Sequence, residues 1–139
     1  MGIIVKYSDI AGMSRSGLHL PIYCKYDDSI ASAAIPINIP LAEKLSSTKT
    51  EKRTMRLEKY FCQIVAELPS EPIIRDFDVM FNPEYAVDVL RIMCSAAKSI
   101  PFSLIWNGRY SDGNLIYAEE GYRDYKVFDI DKYDVTCII

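Results

Sequence analysis

Residues 12–19, near the start of the chain, have the spacing of a phosphate-binding loop. The pattern G-x-x-x-x-G-K-[ST] holds a nucleoside triphosphate with backbone N–H groups, a lysine that neutralises the β- and γ-phosphates, and a hydroxyl that holds Mg²⁺. Gly12 and Gly17 keep the glycine spacing, but Leu18 and His19 stand where the lysine and the hydroxyl are required. The spacing therefore indicates a phosphate loop that has lost its main chemical groups.

Three further residues of this loop, Ser14, Arg15 and Ser16, carry side chains that can contact phosphate. The Arg15 guanidinium can supply the missing positive charge from a different point of the loop, or it is simply a solvent-exposed loop arginine. Together with Gly12 and Gly17, these residues are the candidate nucleotide-binding residues of the loop.

Two polar residues follow predicted strands later in the chain. Asp76 comes after the run Ile73-Ile74-Arg75, where P-loop ATPases place the carboxylate that holds Mg²⁺. We therefore predict Asp76 as the magnesium ligand if a nucleotide binds; the alternative is that Asp76, or Asp78, caps the following turn. Asn107 follows the next predicted strand, at the place of a polar residue that senses the γ-phosphate. Because Asn-Gly is also turn chemistry, a turn is its alternative.

A basic segment surrounds the start of the long predicted helix. Its candidate nucleic-acid contacts are Lys49, Lys52, Arg53 and Arg56. Such a segment can contact a phosphate backbone, or it can be the solvated face of a helix. The net charge of −3 gives no general electrostatic reason for nucleic-acid binding.

Several classes of site are disfavoured by composition. The chain has one histidine and four dispersed cysteines without a C-x-x-C pair, so neither a zinc site nor covalent catalysis is expected. The cysteines are expected to be buried thiols in a reducing compartment. No apolar run approaches the roughly 20 residues that span a bilayer, and no signal peptide is recognisable, so we expect a cytoplasmic protein without a membrane partner.

The 139 residues predict a single domain, residues 1–139, in which strands and helices alternate. Such alternation predicts an α/β fold with a parallel sheet, whose ligands bind at the carboxyl ends of the strands. The clearest element is an amphipathic helix over residues 51–68, and Asn82-Pro83 is predicted to begin a second helix that continues to residue 97. Strands are predicted at residues 3–7, 35–39, 72–77, 101–106 and 133–139, a hairpin around Asp112-Gly113, and a further helix at residues 18–26.

Residues 35–135 resemble the small P-loop protein of type-three BREX bacteriophage-defence systems (BrxF). The most specific part is Trp106-Asn107-Gly108, followed in order by the hairpin and Tyr117-Ala118-Glu119. The other matching segments are residues 36–41, 64–67, 74–83 and 89–91.

The resemblance implies a three-layer P-loop NTPase-like fold of the additional-strand (ASCE) type, with a mostly parallel sheet, flanking helices and a C-terminal β-hairpin. Asp76 would match the Walker B carboxylate and Asn107 the polar residue after the fourth strand. Because the Walker A lysine and hydroxyl are absent, we expect an accessory protein of a defence complex that does not hydrolyse NTP and needs no cofactor. The alternatives are a divergent NTPase that binds ATP and Mg²⁺, and a nucleic-acid-binding accessory protein. Other proteins of the complex are the expected partners, and a homo-oligomer is compatible with the sequence.

Overall fold

Nine short strands form two sheets in residues 1–10 and 17–139, the part of the chain that the computed structural model describes. In chain order they are β1 (Ile3–Val5), β2 (Pro21–Tyr23), β3 (Ile35–Pro36), β4 (Ile73–Arg75), β5 (Ser103–Ile105), β6 (Arg109–Ser111), β7 (Asn114–Tyr117), β8 (Lys126–Asp129) and β9 (Thr136–Ile138). Six strands form a sheet in the order β1-β9-β2-β5-β4-β3, with every pairing parallel. The strands β6, β7 and β8 form a separate antiparallel sheet. The predicted α/β class, parallel sheet and hairpin are confirmed.

Helices flank the parallel sheet. Those of the described residues are α1 (Tyr7–Ile10), α2 (Asp28–Ala33), α3 (Asn38–Ser46), α4 (Arg53–Ala66) and α5 (Val89–Ala97). The predicted amphipathic helix is confirmed as α4, preceded by a 3₁₀ turn at Thr50–Lys52. Its buried residues recur at helical spacing and face the core: Leu57, Phe61, Ile64 and Val65.

An aromatic cluster joins the two sheets. Phe81 and Tyr117 stack with their ring centroids 3.6 Å apart. Trp106, directly after β5, meets Phe128 of β8 edge to face at 5.9 Å. All four rings are buried in the same hydrophobic core as the strands of the parallel sheet. The antiparallel sheet is therefore packed against the carboxyl end of β5.

Two predicted helices are wrong in whole or in part. Residues 18–26 do not form a helix, since they contain β2, which is buried between β5 and β9. The side chain of Asn82 does cap a turn, but this is a 3₁₀ turn, Pro83–Tyr85, that ends at Ala86 with φ of +50°. Because this left-handed backbone cannot continue a helix, α5 begins only after its own cap, Asp88.

The predicted strand at residues 35–39 is also shorter than expected. It stops at Pro36, and Asn38 begins α3, which extends to Ser46. Pro36 carries no N–H, so it suits this edge of the sheet, and Ile37 donates the last bond to β4, to the Arg75 carbonyl at 3.1 Å. No helix in the described part of the chain is long and apolar enough to cross a membrane.

Candidate functional site

Polar side chains from four elements meet at the carboxyl ends of β3, β4 and β5. We call Asn38, Asp78, Asn107 and Tyr117 the strand-end cluster. Asn38 begins α3 just after β3, Asp78 begins a 3₁₀ turn after β4, Asn107 follows β5, and Tyr117 ends β7. The carboxyl edge of a parallel sheet is where α/β proteins bind ligands. Topology therefore places this cluster where the sequence predicts a site.

Asp78 is the acceptor at the centre of the strand-end cluster. Its Oδ1 accepts hydrogen bonds from Asn107 Nδ2 at 2.9 Å and from the Tyr117 hydroxyl at 2.8 Å. Its Oδ2 accepts from Asn38 Nδ2 at 3.2 Å, while Asn38 Oδ1 accepts from the N–H of Val79 at 2.9 Å. Both carboxylate oxygens are thus engaged by the chain itself.

Tyr117 supplies the hydroxyl of the strand-end cluster, and its side chain is buried. Burial raises the pKa of Tyr117 well above its ordinary value, and the hydrogen bond to the Asp78 carboxylate raises it further. Tyr117 is therefore a neutral hydrogen-bond donor over the physiological pH range. The hydrogen bond from the Tyr117 hydroxyl to the Asp78 carboxylate therefore holds the end of β7 against the turn after β4.

Asp76, the predicted magnesium ligand, lies beside the cluster but bonds elsewhere. Its Oδ2 lies 2.8 Å from Arg75 Nη1, in an ion pair whose two side chains are both 43% exposed. Its backbone has φ of +52°, and its carbonyl accepts from the N–H of Ile37 at 3.3 Å. Asn107 therefore bonds to Asp78 and not to Asp76.

Asn107 and Gly108 form a bend between β5 and β6. The backbone carbonyl of Ile116 lies where a Cβ at residue 108 would stand, so no other residue fits there. The Trp106 indole N–H donates to the same Ile116 carbonyl at 3.1 Å. Gly108 thus lets β7 pass close to the end of β5, which brings Tyr117 to Asp78.

A second carboxylate occupies the beginning of α2, after β2. Asp27 Oδ1 accepts from the N–H of Ser29 at 2.9 Å, from the Ser29 hydroxyl at 2.6 Å and from the N–H of Ile30 at 3.1 Å. The hydrogen bonds from Ser29, then from Tyr7, lower the pKa of Asp27 to about 2. The N–H groups that begin this helix are therefore already bound to an anionic side chain.

The structure separates the described end of the predicted phosphate loop from the strand-end cluster. Gly12, Ser14, Arg15 and Ser16 lie outside the described residues. Gly17 precedes β2 and lines a cavity of about 260 Å³ with Pro21, Phe102 and Ser103. These residues mark the amino ends of β2 and β5, whereas Asp76 and Asn107 follow carboxyl ends. A Walker A loop leads into a helix, whereas this segment leads into the strand β2.

The predicted basic segment is partly used within the chain. Lys49 and Lys52 are exposed, whereas Arg53 and Arg56 are half-buried. Arg53 Nε donates to the carbonyl of Thr48 at 3.0 Å. The hydrogen bond with Thr48, together with the nearby Arg56 cation, lowers the pKa of Tyr60. Arg53 therefore supports the start of α4, and the two lysines remain at the surface.

The four cysteines are free thiols. The hydrogen bond to Cys24 and burial together raise the pKa of the Cys137 thiol, so Cys137 is protonated at neutral pH. Among the described residues, no three acidic, thiol or imidazole side chains come together in a group that could hold a metal ion.

Asn38, Tyr117 and Asp27 were not predicted as site residues from the sequence. Asp27 has a local signal, since an aspartate just before a helix is a preferred N-cap. Asn38 and Tyr117 have none, because their meeting with Asp78 spans 40 and 39 residues along the chain. Comparison of this chain with family models, with curated proteins and with solved structures finds no match.

Proposed function

We propose that this protein is a P-loop-like accessory protein that neither binds nor hydrolyses NTP, and that it acts through contacts with other proteins of a phage-defence complex. The observation that carries the proposal lies at the start of α2. There the Asp27 carboxylate accepts the N–H groups of Ser29 and Ile30, which a bound phosphate would otherwise use. The defence setting derives from the resemblance to the BREX protein.

Strand order supports the P-loop-like part of the proposal. If β2 is counted as the first strand, β3 is the second, β4 the third and β5 the fourth. Asp76 then follows the third strand and Asn107 the fourth, as the resemblance implies. In the sheet, β5 lies between β2 and β4, which is the position of the extra strand in additional-strand P-loop proteins.

This count moves the phosphate-loop position from residues 12–19 to the connection between β2 and α2. That connection, residues 24–27, contains no glycine, and its one cation is the exposed Lys25. Two adjacent carboxylates, Asp27 and Asp28, stand at the helix start and repel phosphate. A phosphate loop needs free N–H groups and positive charge. In this connection Asp27 already accepts the N–H groups, and the two carboxylates outweigh the single Lys25 cation.

The strand-end cluster supports the absence of hydrolysis. Both oxygens of Asp78 already accept from side chains of the chain itself, and Asp76 pairs through Oδ2 with the Arg75 cation, which competes with a metal ion for that carboxylate. The divergent-NTPase alternative requires Asp76 and Asp78 to give up these contacts and to bind Mg²⁺ instead. The nucleic-acid alternative remains a prediction of the sequence, and it relies mainly on Lys49 and Lys52.

Calorimetric titration with ATP and Mg²⁺, combined with a phosphate-release assay, tests the proposal. We expect no binding heat and no phosphate release above buffer, with or without duplex DNA, for the wild type and for Asp76→Ala alike. An active P-loop ATPase assayed in parallel shows that the method would detect turnover. Micromolar binding with release that Asp76→Ala abolishes would establish the NTPase alternative instead.

Co-expression with the products of neighbouring genes tests the partner. We expect the chain to co-elute with at least one of them through size-exclusion chromatography. Recovery of the chain alone from every pairwise co-expression would contradict an accessory role in a complex.

A further inference from the structure

Among residues 1–10 and 17–139, strand β1 leaves one edge of the parallel sheet unpaired. It is the end strand and pairs only with β9 among the described residues. Ile3 donates its N–H to Val135 at 2.9 Å, and the Val5 carbonyl accepts from Ile139 at 2.9 Å. Since backbone groups alternate in direction along a strand, the N–H and C=O of Ile4 point away from β9.

The side chains of this open strand are apolar and exposed. Ile3 is 50% exposed and Ile4 is 47% exposed, so both faces of β1 present isoleucine to solvent. The opposite end of the sheet differs, because β3 has two residues and one of them is Pro36. Proline at an edge blocks further pairing, and β1 has no such block.

The two ends of β1 differ in charge, and the cation at the amino end, the Met1 amino group, is already paired with Asp134 at 3.0 Å. Lys6 is exposed just after its carboxyl end. At its amino end, Gly2 and Ile4 line a cavity of about 310 Å³ together with Asp112, Asp129 and Asp131. A strand with a cation at one end and acidic groups at the other is complementary to a second copy of itself in antiparallel orientation.

We propose that two copies of this chain pair antiparallel through β1, about a two-fold axis at Ile4. The Ile4 N–H of each copy then donates to the Ile4 carbonyl of the other. In this register Lys6 of each copy lies opposite Gly2 of the other, beside that copy's Asp112, Asp129 and Asp131. The contact is isologous, so it closes as a dimer and joins two six-stranded sheets into one.

The dimer is independent of the proposed function, because it depends on β1 and not on the P-loop-like connection. A three-residue strand makes a small interface, and interfaces that bury less than about 1,200 Å² are typically transient. We therefore expect a dimer that dissociates on dilution and on addition of salt, since Lys6 and the aspartates are exposed.

Sedimentation velocity over a dilution series tests the dimer with a matched pair of variants. We expect the wild type to shift from monomer to dimer with concentration, and Ile4→Lys to stay monomeric, because two lysines would face each other across the axis. Ile39→Lys is the control. Ile39 is 73% exposed, but it lies on α3, which follows β3 at the opposite end of the six-stranded sheet. Ile39→Lys should dimerise like the wild type.

Charge exchange gives a second arm that does not depend on the folding of Ile4→Lys. Lys6→Glu should raise the dissociation constant about tenfold, because two symmetric attractions become repulsions. Adding Asp131→Lys to Lys6→Glu should restore part of the affinity, and Lys25→Glu, after β2, should have no effect. A wild type that remains monomeric at every concentration, or a dimer unchanged by both Ile4→Lys and Lys6→Glu, would overturn the proposal.

Discussion

At the scale of single residues, Asp78 connects several loops through the hydrogen bonds that it accepts. Its three side-chain donors come from α3, from the end of β5 and from β7, so one carboxylate connects three strand ends. Tyr117, one of these donors, is only 8% exposed. A buried hydroxyl that loses its acceptor costs free energy, since water cannot replace the bond.

This role predicts a stability difference between two neighbouring aspartates. Asp78→Asn should lower the free energy of unfolding by about 1–2 kcal/mol, because an amide presents a donor where the Asn38 or Asn107 amide already donates. Asp76→Asn should cost about 0–1 kcal/mol, because it removes only an exposed ion pair. Urea denaturation of both variants measures the difference, and equal losses would contradict the tying role of Asp78.

The same residue scale explains why the candidate site was only partly predictable. Position after a strand was enough to select Asp76, Asp78 and Asn107. It was not enough to choose between the two aspartates, because that choice depends on the left-handed backbone of Asp76 and on its ion pair with Arg75. Tyr117 reaches the site only because Gly108 admits the close approach of β7.

At the scale of elements, predictability followed the length of the apolar pattern. The helix α4 has four buried residues at regular helical spacing, which is a strong local signal. The strand β2 has three residues, one of them proline, and such a segment fits a helix start equally well. Pairing with β5 and β9 decides its structure, and these partners are far away in the chain.

The start of α5 provides a pH-dependent test at this scale. Its cap, Asp88, accepts from the N–H of Arg91 at 3.1 Å and from the Tyr133 hydroxyl at 2.6 Å. Burial and this hydrogen bond raise the pKa of Tyr133 to about 12. An unfolded tyrosine titrates near pH 10, so the folded state holds the proton more tightly. The resulting stability is complete below about pH 10 and is lost as pH rises towards 12.

We therefore expect the stability difference between the wild type and Tyr133→Phe to be largest below pH 10 and to shrink between pH 10 and pH 12. Urea denaturation at a series of pH values measures it. Tyr122→Phe is the control, since Tyr122 is 66% exposed and should show no such trend. A Tyr133→Phe difference that stays constant up to pH 12 would show that the Asp88 contact does not stabilise the neutral hydroxyl.

At the scale of the whole molecule, the α/β class was predictable but the strand order was not. Alternating strands and helices predict a parallel sheet, but they do not predict the order of the strands within it. The position of β9 between β1 and β2 depends on contacts more than 100 residues apart, such as Ile3 with Thr136. In the proposed P-loop-like fold, that order moves the phosphate-loop position away from residues 12–19. Two glycines at the right spacing carried no information about which strand their loop would enter.

The parallel and the antiparallel sheet share one hydrophobic core, so we expect them to unfold together. The antiparallel sheet contributes Leu115, Tyr117 and Phe128 to the same buried core as the parallel sheet. Trp106, the chain's only tryptophan, lies at the junction, where its ring meets Phe77, Phe81 and Phe128. Its fluorescence therefore reports the junction, whereas far-ultraviolet circular dichroism reports the secondary structure of the whole chain.

A shared core predicts that both signals change in a single transition. In urea, the fluorescence and dichroism curves of the wild type should coincide. Phe128→Leu should shift both curves to lower urea concentration by the same amount. The corresponding loss in the free energy of unfolding is about 1 kcal/mol, because the substitution loosens the packing that both sheets share. Val127→Ala is the control, since Val127 is its exposed neighbour on β8 and should shift neither curve appreciably. If the fluorescence transition of Phe128→Leu precedes the dichroism transition, the antiparallel sheet is a separate folding unit and residues 1–139 are not one cooperative domain.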